Sequence, residues 1–360
     1  MDTTLLTILV LLALATALAI LRARRRDRCL RALDGFHVTL AEQGGDAVWG
    51  RARVYATGIE IEYPKAVVAR EGHLERSFLF YRDQFGTMAA LYRCPEGLPP
   101  DEQARRSAMI ERTANPGLLR RGARWLRNWI GMVRDALVQA VGMLIGAAKT
   151  QAPGSAVFSS QEQNVKTLSS EIIGHTGNAF DPLLERHLFT QVVVEITADG
   201  VTRNFCGWLK DYTSEFIEVL DAYANTPDTR PRPVRPYTPG ADELPHLDVR
   251  IDGGRLRVTN QSERIFYVEK VTAASWTHPV GAVLPPGYTA DVTLPPACDP
   301  ETVRAWAGTA DRVDMVVPRR HALVRHAAGG SEETYREHRR QQQAARAEPA
   351  RPVDATETAS

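Results

Sequence analysis

Residues 48–63 read VWGRARVYATGIEIEY, and residues 191–222 read QVVVEITADGVTRNFCGWLKDYTSEFIEVLDA. In each stretch apolar residues surround one glycine, Gly50 in the first and Gly207 in the second, and another apolar strand follows after a turn. A glycine inside a strand marks a sharp bend or the close approach of another backbone. The two stretches therefore predict two short, strongly bent antiparallel sheets.

A tyrosine follows each glycine at the same spacing, because placing Gly50 on Gly207 also places Tyr55 on Tyr212. This succession of a strand, an apolar-x-Gly strand, a turn with tyrosine and a further strand resembles the core of Sm-like and SH3-like small β-barrels. The resemblance covers about 60 residues of the first block and about 35 of the second. It implies rings formed by pairing edge strands between subunits. The alternative is two unrelated β-hairpins.

The residues at the turns do not match those with which Sm proteins bind RNA. Such proteins use an Asp and an Asn near this turn and a later Arg-Gly pair, whereas residues 55–58 read YATG and residues 212–215 read YTSE. With 44 Lys and Arg against 43 Asp and Glu, the formal charge is only +1, so no global field attracts a polynucleotide. We expect no nucleic-acid partner.

The N-terminus contains an uncharged apolar run at 5–21, which reads LLTILVLLALATALAIL. About 17 to 25 such residues are needed to cross a bilayer as a helix, so this run predicts a transmembrane helix, with a cleaved signal peptide as the alternative. Arginines immediately after the run predict that the rest of the chain is cytoplasmic, in a single-pass protein of the inner (cell) membrane. The arginines assigned to the membrane interface here are Arg22, Arg24, Arg25 and Arg26.

A second candidate for membrane contact is the segment 118–148, whose apolar residues recur at helical spacing with arginines on the other face of its first half. Such a helix can lie in the headgroup plane and bind membrane lipid, or it can pack within the protein. The residues assigned to the interface are Arg120, Arg121, Arg124, Trp125, Arg127 and Trp129.

The whole pattern predicts a mainly β fold with some α-helix. It comprises an N-terminal transmembrane helix, two small Sm-like β-barrels joined by an amphipathic helix, a β-sandwich-like domain and a disordered tail. The predicted boundaries are 1–33 (anchor and basic flank), 34–95 (first barrel), 96–182 (helical segment and connector), 183–225 (second barrel), 226–245 (Pro-rich linker), 246–328 (sandwich-like domain) and 329–360 (tail).

Catalytic and metal-binding motifs are missing from the sequence. No phosphate-binding loop, dinucleotide fingerprint, nucleophile elbow or HExxH motif occurs, and the four cysteines have no CxxC spacing. We therefore expect no enzyme, no cofactor and no metal. The predicted function is a membrane-anchored scaffold or ring-forming homo-oligomer that recruits protein partners through its C-terminal domain. The alternative is a subunit of a conducting or mechanosensitive assembly, and an RNA-binding module is a distant third.

Overall fold

A computed structural model describes residues 26–68, 72–95, 97–114, 181–224, 233–240, 246–296 and 298–329. This part of the chain is mainly β, with large antiparallel sheets. The first half contains α1 (Arg28–Arg31), β1 (His37–Glu42), β2 (Ala47–Val54), β3 (Gly58–Val68), β4 (Leu74–Tyr81), β5 (Met88–Arg93) and α2 (Pro100–Ala114).

The second half begins with a short helix and continues as strands. It contains α3 (Pro182–Arg186), β6 (Gln191–Ala198), β7 (Val201–Tyr212), β8 (Phe216–Ala224), β9 (Arg235–Tyr237), β10 (Leu247–Asp252), β11 (Arg255–Asn260), β12 (Phe266–Ala273), β13 (Trp276–Leu284), β14 (Thr289–Thr293), β15 (Arg304–Thr309), β16 (Val313–Pro318) and β17 (Ala322–Gly329).

Ten strands form one sheet in the order β17-β6-β7-β8-β16-β5-β1-β2-β3-β4. Strands β1 to β5, which we call unit A, occupy one half. Strands β6, β7, β8, β16 and β17, which we call unit B, occupy the other. Numbered along the chain within each unit, both sets have the order 5-1-2-3-4. The two units therefore share one topology.

The start of each unit repeats as well. Helix α1 precedes β1 and is capped by Asp27, whose carboxylate accepts from two backbone N–H groups of the helix. Helix α3 precedes β6 and is capped in the same way by Asp181. An Asp side chain at this position satisfies N–H groups that have no partner inside the helix. The repeat thus extends from the strand order to the local capping.

Gly50 and Gly207 occupy equivalent places in the two units. Gly50 pairs with Val38 on the first strand of unit A, and Gly207 pairs with Val192 on the first strand of unit B. A Cβ on Gly50 would overlap the carbonyl oxygen of Glu62, and one on Gly207 would lie 2.6 Å from Cγ1 of Val219. Both glycines therefore allow the third strand of the unit to cross close to the second.

Strands β9 to β15 form a two-layered insertion between β8 and β16 of unit B. One layer has the order β10-β11-β14 and the other β13-β12-β15-β9. The insertion packs on unit A: the backbone N–H of Val283 donates to the hydroxyl of Thr39 over 2.8 Å, and Trp49 belongs to the insertion's apolar core. A domain inserted into one unit thus covers part of the other.

The predicted boundaries differ from the observed arrangement. The strands of the two predicted barrels join in one hydrogen-bonded sheet, in which β5 pairs with β16. Residues 313–317, which fall within the predicted sandwich-like domain, belong to β16 of that sheet. The insertion separates β8 from β16 in the chain. Local sequence therefore does not show that β16 and β17 complete unit B, which explains the error.

The described part of the chain contains no helix whose length and apolar character would let it span a membrane. This finding contradicts the predicted fold class and the single-pass membrane description, both of which included such a helix. The run at 5–21 and the segment 118–148, on which those predictions were based, lie outside the described residues.

Candidate functional site

Units A and B meet where β5 of the first pairs with β16 of the second. The fifth strand of one unit is thereby joined to the fourth strand of the other, antiparallel. The opposed residues are Leu91 and Val316, Tyr92 and Met315, and Arg93 and Asp314. The junction continues the sheet without a break.

A buried ionic cluster lies across this junction. Arg93 donates from Nε and Nη2 to Oδ2 of Asp314 over 2.9 and 2.5 Å. Arg106 of α2 donates to both oxygens of Asp314 over 2.6 Å and to Asp221 of β8 over 2.9 Å. All four side chains are buried. Two arginines and two aspartates thus bind helix α2 and unit A to unit B with balanced charge.

The electrostatics of the cluster favour the ionised carboxylate. Burial by itself raises the pKa of Asp314, but the guanidinium groups of Arg106 and Arg93 lower it, and the net pKa lies well below the usual range. Burial lowers the pKa of Arg93, which Asp314 opposes. Removal of one partner would leave an uncompensated charge in the interior, so the cluster disfavours separation of the two units.

Helix α1 of unit A adds polar contacts with unit B. Arg28 donates to the carbonyl oxygen of Tyr212 over 2.8 Å and forms an ion pair with Asp211 at 3.5 Å. Burial raises the pKa of Asp27, and a hydrogen bond with the side chain of Thr213 opposes that shift. The turn between β7 and β8 is therefore held by the N-terminal helix of the other unit.

The two outer strands of the ten-stranded sheet are β4 and β17, and each pairs with a single strand among the described residues. Both carry large apolar side chains in contact with solvent: Leu79 is 52% exposed, Leu74 66% and Leu323 49%. A flat edge with exposed apolar side chains is a template for pairing with another strand. These edges are the candidate functional surfaces.

The directions of the free backbone groups on both edges follow from hydrogen bonds at the strand ends. The N–H of Arg82 donates to the carbonyl oxygen of Thr57 over 2.8 Å, so the backbone groups of Arg82 face β3. Because this direction alternates along a strand, the backbone N–H and C=O groups of Leu79 face away from β3. The N–H of Thr197 donates to His321 over 2.8 Å, so by the same alternation the groups of Val324 on β17 face outward.

The sites predicted from the sequence lie in different places. Arg26 is exposed, with an ion pair to Asp34 at 3.4 Å. The other arginines and both tryptophans assigned to a membrane interface lie outside the described residues, and they are Arg22, Arg24, Arg25, Arg120, Arg121, Arg124, Trp125, Arg127 and Trp129.

The two tyrosines of the predicted barrel signature are not equivalent. Tyr55 begins the turn after β2, where its N–H donates to Gly58, whereas Thr213 holds that position in unit B and donates to Phe216. Tyr55 is 48% exposed, and Tyr212 is buried with its hydroxyl donating to Glu185 over 2.9 Å. An extra residue in β7, at a register shift between positions 209 and 211, displaces the second tyrosine by one place.

The ionic cluster was not predicted from the sequence, because its members lie far apart in the chain. Arg93 and Asp314 are separated by more than two hundred positions. An arginine ending the apolar run of β5 and an aspartate inside that of β16 were the only signals available. Comparison with protein-family models, curated proteins and solved structures found no match.

Proposed function

We propose that this chain is a non-enzymatic scaffold subunit that assembles with copies of itself, head to tail, by pairing β4 of one copy with β17 of the next. The two units would be Sm-like repeats within one subunit. The contact would join the fourth strand of unit A to the fifth strand of unit B. This is the combination already present inside the chain, where the fourth strand of unit B pairs with the fifth strand of unit A.

The internal junction supports this proposal because it supplies a register. By the equivalence of the units, Val316 corresponds to Leu79 and Leu91 corresponds to Val324. Leu79 of one copy should therefore lie opposite Val324 of the next. Both residues point their free backbone groups outward, which is what a hydrogen-bonded antiparallel pair requires.

The side chains of this pair agree with the register. Val316 and Leu91 are both fully buried in the apolar core of unit A. Leu79 is half exposed in the single chain, and Val324 packs partly buried against the core of unit B. Pairing would pack Leu79 against Val324 and remove the apolar surface of Leu79 from water. A Leu side chain buried in this way contributes about 1.5 to 3 kcal/mol.

A contact between two different edges is heterologous, so it produces a closed ring when its rotation closes and a filament when it does not. The same two edges would be used by every copy, which leaves no unpaired edge in a ring. The ring is therefore the assembled form that we propose, with the insertions presented at regular intervals to protein partners.

A disulfide placed across the predicted contact tests the proposal. In the full chain we would replace Leu79→Cys and Val324→Cys, since Cα atoms of a hydrogen-bonded antiparallel pair are about 5.5 Å apart and a disulfide tolerates roughly 4.4 to 6.8 Å. Mild oxidation should yield covalent oligomers on a non-reducing gel.

The control pairs Leu79→Cys with Leu323→Cys, whose side chain points to the opposite face of β17. This pair should stay monomeric under the same oxidation. If the first pair forms no links, or both pairs link equally, the edges do not meet in the proposed register.

A further inference from the structure

A cleft of about 390 Å³ lies between unit A and the insertion. Its unit A wall comes from the end of β1, from β2 and from the middle of β3 and β4, and its other wall comes from β11, β13 and β14. Four consecutive residues of β3, 63–66, have no partners opposite them on β4, so the strand bulges at this wall. Bulges of this kind often redirect side chains at binding sites.

The cleft combines charges of both signs with aromatic surface. Arg257 is neutralised by Asp291, with two hydrogen bonds of 3.0 Å. Burial raises the pKa of Glu42, and the neighbouring carboxylate of Asp46 raises it further. The hydrogen bonds and ion pairs found in the described residues include none for the side chain of Arg255. The site thus offers both a carboxylate pair and a guanidinium.

Uncharged polar groups complete the cleft. Burial lowers the pKa of His278, and Lys65 lowers it further, so the imidazole is neutral at physiological pH. Burial and the carboxylate of Glu75 raise the pKa of Tyr63 to about 12, so its phenol keeps its proton. A ligand for such a site carries cations and anions within a short length. A polypeptide segment of mixed charge has this chemistry.

The proposed assembly brings such a segment to the cleft. In the register derived above, β17 of the next copy runs antiparallel to β4, from Leu79 toward Leu74. Its last residue, Gly329, then comes level with Arg76, next to Glu75, which lines the cleft. The chain continues after Gly329 as GSEETYREHRRQQQ, in which acidic and basic residues are mixed.

The internal junction provides a precedent for this path. The segment that follows β5 of unit A continues over unit B, where Ile110 of α2 packs on Trp208 and Leu220. In the same segment Gly97 lies against the ring of Tyr267 on the insertion. The residues after a fifth strand therefore cover the unit with which that strand pairs.

We infer that the cleft of one copy binds residues 330–345 of the next copy, with arginines of that segment at Glu42 and Asp46 and its glutamates at Arg255 and Lys65. This inference rests on the proposed head-to-tail assembly. The segment would act as a strap that secures each subunit to its neighbour, and the bound partner is a second copy of this chain.

Photochemical cross-linking of the full chain tests the inference. Lys65, which is exposed at the cleft, is replaced by p-benzoylphenylalanine, and this protein is mixed with wild-type chain labelled with nitrogen-15. After irradiation, mass spectrometry should find links from position 65 to heavy peptides within 330–345. The same amino acid at Leu183, a residue 74% exposed on α3, is the control and should give no such links.

The disulfide experiment separates the two possible failures. If the Leu79→Cys and Val324→Cys chain forms covalent oligomers but position 65 gives no intermolecular links to 330–345, the strap is wrong and the assembly stands. Links only to light peptides of the same chain would also overturn the strap. If the covalent oligomers do not form, the assembly fails and the strap fails with it.

Reversal of the charges in the segment provides a second readout, with circular dichroism as the check that the variant folds. Arg336→Glu, Arg339→Glu and Arg340→Glu together should reduce the yield of links at least severalfold, because they place carboxylates against Glu42 and Asp46. Unchanged links in this variant would overturn the assignment of the arginines to that carboxylate pair.

Discussion

Arg93 on β5 and Asp314 on β16 lie directly opposite each other across the junction between the two units, joined by two hydrogen bonds of 2.9 and 2.5 Å with both side chains buried. The ion pair occurs at the place where the two units of the repeat become one sheet. It has no counterpart at the proposed contact between copies, where Ser77 and Ala327 take the corresponding positions.

Breaking this pair should destabilise the protein strongly. Arg93→Met leaves Asp314 with one cationic partner fewer in a buried site, and removal of one partner of a buried pair costs about 3 to 5 kcal/mol. Chemical denaturation of the full chain measures the change. The control Arg250→Ala removes an exposed ion pair with Asp248 and should cost about 1 kcal/mol or less. Equal effects of the two changes would show that the cluster does not hold the units together.

Acid should destabilise the junction in a defined pH range. The folded-state pKa of Asp314 lies below that of an unfolded Asp, which is about 3.9. Its contribution is therefore complete above that value and is lost progressively as pH falls from there toward the lower folded-state pKa. The free energy of unfolding should therefore decrease below about pH 4. In Asp314→Asn this part of the pH dependence should disappear. A variant with the same acid slope as the wild type would contradict the assignment.

The two equivalent glycines should be intolerant of a side chain. Gly50→Ala puts a Cβ onto the carbonyl oxygen of Glu62, and Gly207→Ala puts one 2.6 Å from Val219, so either change should cost about 1 to 3 kcal/mol or more. Arg53→Ala, on the same strand as Gly50 but exposed, is the matched control; it removes only a surface ion pair with Glu62 and should cost about 1 kcal/mol or less. Thermal unfolding of the three variants distinguishes a packing constraint at the glycines from a loss of stability caused by any substitution on this strand.

Parts of this fold could be predicted from the sequence, because the signals for them lie in neighbouring residues. The apolar stretches predicted as strands within residues 48–63 coincide with β2 and the first part of β3, because alternation of apolar and polar residues is a property of neighbouring positions. The correspondence of Gly50 and Gly207 was also accessible, since both mark a close approach of strands. The tyrosine correspondence failed because the bulge of Lys210, whose ammonium pairs with Glu218 in the interior, adds one residue to β7.

The long-range features could not be predicted. The insertion separates β8 from β16, so the completion of unit B depends on pairing between strands about ninety residues apart. The cluster around Asp314 joins residues from α2, β5 and β8, and no local pattern identifies such partners. The candidate edges are defined only when the order of all ten strands is known.

For assembly, the backbone N–H of Leu79 on the outer edge should matter more than its side chain. Leu79→Pro removes an N–H that faces away from β3, so the chain should still fold, whereas pairing with another copy loses a hydrogen bond and the assembly should dissociate. Leu79→Ala retains the N–H and should weaken assembly only partly. Circular dichroism checks that both variants fold, and light scattering measures their mass. Identical assembly of the two variants would mean that β4 does not pair through its backbone.

The mass of the full-length protein in solution tests the central claim most directly. Native mass spectrometry of the wild type should give one closed oligomer at a whole-number multiple of 39.8 kDa, and the Leu79→Pro variant should give the 39.8 kDa monomer. A wild type that is monomeric at micromolar concentration, or an oligomer of unchanged mass in the Leu79→Pro variant, would contradict assembly through β4 and β17.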